Sequence, residues 1–197
     1  MIESRGHLAA IAGAALLVGC AGALAQGSVT EASRSETTPP FSGPENVAYA
    51  DAVWSAMTEA RMAGAGAVVT YPYTGREPHG LVLEYLEATL TINGQEHWTI
   101  TKRNHVGEDV SIEGVINAPE ARLDSVTVMV KREAGYDPDH QDWWWAKYNP
   151  DGTLQTNPNG MALAGRVAKG ADVGCIACHQ AAPGGDYIYS HDRGPAM

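Results

Sequence analysis

Near the end of the chain, two cysteines three residues apart are followed at once by a histidine: Cys175-Ile176-Ala177-Cys178-His179. Thiols at this spacing serve covalent haem attachment, zinc binding or dithiol redox chemistry. On a helical turn, residues three and four apart share a face. Both sulfurs can then reach the two vinyl groups on one edge of a porphyrin, while the adjacent imidazole swings beneath the iron. The motif fits c-type haem, with Cys175 and Cys178 as covalent anchors and His179 as the iron ligand. The other ring nitrogen of His179 should donate to a carbonyl or water that fixes the ring. A thioredoxin-like dithiol would want a βαβ setting, which the pattern of elements lacks. Structural zinc needs four closed ligands, and there is no second cysteine pair, the third cysteine being Cys20.

The elements that must position this motif are mostly strands. Val47, Ala50, Trp54, Met57 and Arg61 fall at helical spacing over residues 45–62, with Pro44 suited to a first turn. From residue 67 the pattern turns to period two. Strands are expected over 67–73, 80–92, 97–102, 109–116, 125–131 and 143–149, punctuated by turns such as Asn93-Gly94 and Asp151-Gly152. No helix long enough for a parallel crossover separates them, so the sheet should be antiparallel. The short Ala/Gly-rich stretch 163–178 should carry the haem motif on a helical segment. The fold class is mainly β (α+β): an antiparallel sheet with an N-terminal amphipathic helix and a short C-terminal haem-binding helix.

Residues 8–19 (LAAIAGAALLVG) form an uncharged apolar run, too short to span a bilayer but suited to a signal peptide. Leu17-Val18-Gly19-Cys20 resembles a bacterial lipobox, in which Cys20 would be acylated; Ala23-Leu24-Ala25 before Gln26 offers a rival, ordinary cleavage site. The domain plan is a leader over 1–20, a Ser/Thr/Pro/Glu-rich tether over 21–44, and a haem domain over 45–197. The expected location is the periplasm, with membrane contact only through a lipid anchor. Losing residues 1–20 removes Glu3 and Arg5 and leaves the net charge at −10. That balance argues against nucleic acid and against an anionic membrane surface as partners.

An ordinary electron-carrying cytochrome c carries its motif early and takes an axial methionine from downstream. Here the only methionine after His179 is Met197. The late haem motif, the stretch Gly185-Asp186-Tyr187-Ile188-Tyr189-Ser190, the strand Val126-Thr127-Val128-Met129-Val130-Lys131 and the segment Trp143-Trp144-Trp145-Ala146-Lys147-Tyr148 together resemble the cytochrome P-460 family, which includes the cytochromes c′-beta. Trp98-Thr99-Ile100-Thr101-Lys102 adds a weaker match, and the resemblance covers roughly residues 67–192. It implies a mostly β, often dimeric protein with a five-coordinate haem open to small ligands. Members oxidise hydroxylamine or bind nitric oxide. A strand lysine is cross-linked to haem in the hydroxylamine-oxidising members, and Lys102 is the best-matching position. The family's phenylalanine-lined pocket would have to be built from other residues, because the single phenylalanine, Phe41, falls in the tether.

Period two puts Lys102 on one strand face with Trp98 and Ile100, opposite His97, Thr99, Thr101 and Arg103. A lysine there either serves the haem site or snorkels to solvent. His79, at a turn beside Glu77, is the distal candidate, as acid–base group or sixth ligand; a plain turn histidine is the rival reading. His97, His105, His140 and His191 read as exposed. Trp143 and Trp145 share a side of their strand with Trp144 on the other, so one can wall the haem. Asp186, after Gly184-Gly185, reads as a turn cap or a neighbour of the haem propionates. The expected function is a mono-haem c-type cytochrome with an open iron site, reacting with a small nitrogen substrate or ligand and exchanging electrons with a periplasmic partner. A nitric oxide binder and a plain electron carrier stand as alternatives.

Overall fold

The computed structural model describes residues 40–190. The leader, Cys20 and residues 21–39 of the tether lie outside the described residues, as do His191 and Met197. Six strands form one antiparallel sheet in chain order: β1 (Tyr73–Thr74), β2 (Val82–Ile92), β3 (Gln95–His105), β4 (Leu123–Lys131), β5 (Trp143–Tyr148) and β6 (Ala164–Gly165). Sequential antiparallel neighbours need only short links, and the link between β2 and β3 is as short as such a link commonly gets. Ile92 pairs with Gln95, and Asn93 and Gly94 between them both take positive φ (50° and 80°). Asn-Gly suits that geometry, whose twist matches the strands it joins.

Helix α1 (Pro44–Glu59) starts with proline in its first turn and covers one sheet face. Its Ala50, Val53 and Met57 pack with Leu86 and Leu90 of β2, Val126 and Val128 of β4, and Trp144 of β5. Two hydrogen bonds fix its seat: the Trp144 indole donates to Asn46 Oδ1 (3.2 Å) and the Tyr148 hydroxyl to the Ala50 carbonyl (2.9 Å). On the other face lies a second cluster of Ile100, Met129, Trp143, Trp145, Val167, Ile176, Tyr187 and Ile188. The alternation of the three tryptophans therefore assigns Trp144 to the helix side, and Trp143 and Trp145 to the side of the C-terminal segment.

Several local expectations are corrected. Residues 109–116 are not a strand: α2 (Ile112–Asn117) forms there, with the Ser111 hydroxyl accepting from the Gly114 amide at 3.0 Å. Of 67–73 only Tyr73 enters a strand. Strand β3 runs on to His105, because its polar end finds partners across the sheet. Glu84 is fully buried, accepts from His105 Nε2 (3.0 Å) and the Thr70 amide (3.0 Å), and forms an ion pair with the Arg103 guanidinium (3.1 Å), which also reaches Glu120. His97, His105 and His140 are buried rather than exposed; His140 Nδ1 lies 2.9 Å from Asp137 Oδ2. Residues 40–43 pair with the β6 region: Phe41 bridges Gly165, and the Ser42 amide donates to the Ala164 carbonyl at 2.8 Å.

Candidate functional site

The cysteine–histidine motif forms α3 (Cys175–His179), a single helical turn closed by Cys178 N donating to Gly174 O (3.1 Å) and Gln180 N to Ile176 O (2.9 Å). Ile176 plugs into the second core cluster and aims the turn. Cys175 is half-buried and Cys178 exposed, and the two thiols are free. Burial pushes the Cys175 thiol up to about 11, which holds it protonated at neutral pH. A reactive dithiol needs the opposite, a thiol whose pKa is lowered.

His179 is buried, and its Nδ1 lies 2.6 Å from the Tyr187 carbonyl. A carbonyl only accepts, so Nδ1 carries the proton and Nε2 presents its lone pair. Burial pushes the imidazole down to about 4, against the raising effect of that hydrogen bond, so the ring is neutral at neutral pH. Aromatic rings surround it: Trp145 at 4.7 Å between centroids, Tyr189 at 5.4 Å and His79 at 6.0 Å, all edge-on.

The sheet face opposite α1 supplies the rest. Its register aligns Tyr85, Lys102, Thr127 and Lys147 across four strands. Lys102 is only 6% exposed. Its ammonium makes no hydrogen bond or ion pair among the described residues, and burial pushes it down to about 8. Trp98, on the same strand face, is 40% exposed and leans on Trp143 with centroids 5.5 Å apart.

His79 arrives on the loop between β1 and β2. Gly75 N donates to Leu81 O (2.8 Å) and Leu81 N to His105 O (3.1 Å), which closes that loop onto β3. Gly80 has φ +127°, and a Cβ there would lie 2.7 Å from the His105 carbonyl, so the close approach requires glycine. His79 Nδ1 sits 3.3 Å from Thr127 Oγ1. Burial first, then the positive charge of Lys102, pushes the His79 imidazole down to about 3, leaving it neutral. Asn104 donates to Ser125 Oγ (3.2 Å) and Thr127 Oγ1 (3.3 Å) behind it.

The structure thus brings His79, Lys102 and His179 together beside the cysteine turn. Sequence reasoning missed Asn104, Thr127, Lys147 and the contact of Trp145 with His179. Strand register across four strands creates these neighbours, and no local spacing signals it. Asp186 caps its own turn, its Oδ1 accepting from the Ile188 amide at 3.0 Å.

These residues fit a haem. The donor set is two thiols and a tautomerically fixed imidazole, with aromatic walls beside it. Trp145, 2% exposed and next to His179, keeps an indole N–H without an acceptor among the described residues. Buried donors are nearly always satisfied, so this one calls for an acceptor that the described residues do not provide. A family model for cytochrome P460 matches residues 91–190, from the end of β2 to the residues just after the Tyr187 loop. No curated protein and no solved structure matches the chain.

Proposed function

This chain belongs to the cytochrome P460 family, and we propose that it is a mono-haem c-type cytochrome whose reaction is the oxidation of hydroxylamine or a similar small nitrogen compound. Haem, when bound, supplies an iron that takes a small ligand and exchanges electrons with it. The chain does the rest. Cys175 and Cys178 would anchor the group to α3, and His179 Nε2 would hold its metal. The Tyr187 carbonyl keeps the His179 ring in the productive tautomer. Trp145 and Tyr189 pack against that ring and exclude water from it.

The observation that carries the reading is Lys102. An ammonium taken out of water without a partner costs several kcal/mol (of order), which a purely structural position would not retain. Its pKa, pushed down to about 8, places neutral amine and ammonium both within reach near neutral pH. Lys102 Nζ can therefore take a proton from an N–H or O–H group, or donate to an oxygen or nitrogen atom held nearby. His79, neutral and braced by Thr127, offers a second such group.

Lys102→Ala tests this. Hydroxylamine affinity of the ferric protein should fall about tenfold or more, the worth of one hydrogen bond to a charged group, and the haem absorption should change. A haem peptide joined to the Lys102 peptide in a tryptic digest would mark the cross-linked, enzymatic form; separate peptides would favour a nitric oxide binder. An unchanged spectrum and unchanged titration would make Lys102 a bystander. A second reading, an electron carrier with histidines on both sides of the iron, draws support from the 6.0 Å separation of the His79 and His179 rings.

A further inference from the structure

The hydrogen bond from His179 Nδ1 to the Tyr187 carbonyl depends on how rigidly that carbonyl is presented. Tyr187 sits at φ +68°, a left-handed conformation that a bulky side chain seldom takes unless its surroundings impose it. The surroundings are visible. Of the three successive carbonyls in this loop, Gly185 O accepts from Gln141 Nε2 at 2.6 Å and Asp186 O from the Trp143 indole at 3.2 Å. Tyr187 O, the third, accepts from His179. The first donor, Gln141, lies two residues before β5, and the second, Trp143, is the first residue of that strand. Gln141 itself is exposed.

We propose that Gln141 and Trp143 are positioning residues for the axial histidine: by pinning the two preceding carbonyls, they aim the Tyr187 carbonyl at His179 Nδ1 and so set the reduction potential of the metal bound at Nε2. The idea rests on the reading of His179 as that ligand. A short, well-aligned bond at Nδ1 pulls its proton outward and makes Nε2 a stronger electron donor, which stabilises the oxidised metal. Releasing either pin lets the Tyr187 peptide relax from its left-handed conformation. The bond to His179 lengthens and the oxidised form loses stabilisation.

The test compares the holoproteins of Gln141→Ala, Trp143→Phe and the double variant with the unmutated protein. Spectroelectrochemistry gives the midpoint potential, and resonance Raman of the ferrous state gives the iron–imidazole stretch. Both single variants should raise the potential and lower the stretching frequency. In the double variant, the ferric-to-ferrous ratio at a fixed electrode potential should fall about tenfold, or about 59 mV for one electron. Gln141→Ala is the sharper probe, because an exposed glutamine has no core to disturb. Lowered melting temperatures with unmoved potential and stretch would make both residues plain loop braces and overturn the proposal. An unmutated protein with no haem absorption would overturn the ligand assignment instead, and a normally loaded protein whose variants show no shift would overturn this inference alone.

Discussion

Replacing both Cys175 and Cys178 with alanine is expected to abolish covalent retention of haem completely. In the unmutated protein, acid–acetone extraction should leave the colour with the polypeptide; in the double variant all of it should move to the organic phase. Each thiol lies on the single turn of α3, three residues from the other, and neither is engaged in a disulfide. Cys178→Ala alone should keep the colour on the polypeptide through Cys175, because one remaining thioether is enough to resist extraction. The fold should survive these changes. Ile176 is the buried anchor of the turn, Cys175 packs against the same cluster only in part, and His179 keeps its bond to the Tyr187 carbonyl. Circular dichroism identical to the unmutated protein, with haem lost on extraction, is the expected pair of results. Haem that stays on the double variant would mean that another residue forms the covalent link.

The second large effect is on stability and lies on the face away from the candidate site. Arg103 is 1% exposed, and Glu84, which it pairs with, is fully buried. Arg103→Met should cost about 3–5 kcal/mol, because it leaves the Glu84 carboxylate in the interior without its cation. For a domain of this size the melting temperature should fall by about 10 °C. Urea unfolding measures the change directly. Replacing both partners, Arg103→Met with Glu84→Gln, should recover part of the loss, since the amide carries no charge to strand while it can still accept from the Thr70 amide and donate to the His105 imidazole. If the double variant is as unstable as the single one, packing by the arginine stem rather than its charge explains the effect.

The same cluster shows where the sequence was readable and where it was not. Strand β3 reads as ending at Lys102, because Arg103, Asn104 and His105 are the residues expected where a strand emerges into water. In the structure each finds a partner far away in the chain: Glu84 for Arg103 and His105, Ser125 and Thr127 for Asn104. Period two still placed Lys102 correctly on the face of Ile100, because alternation is a property of the strand itself and holds without knowing its neighbours. Helix α1 was legible from Pro44 and the spacing of Ala50 and Met57. Helix α2 was not, because Val110, Ile112 and the residues around them also satisfy alternation, and the deciding signal was the Ser111 cap. The cysteine–histidine motif of α3 is legible because its geometry is local to one turn. The approach of His79 to His179, and of Trp145 to both the sheet core and the imidazole, depends on register and loop closure, and spacing along the chain carries no trace of either.

His179 holding iron from one side only, with the other side open to a small nitrogen compound, is the claim on which the function stands. The electron paramagnetic resonance spectrum of the ferric protein tests it most directly. A high-spin axial signal, converting to a nitrosyl spectrum when nitric oxide is added to the reduced protein, is the predicted result. A low-spin signal that becomes high-spin in His79→Ala would contradict it, showing histidines on both sides of the iron and an electron carrier in place of a nitrogen-oxidising site.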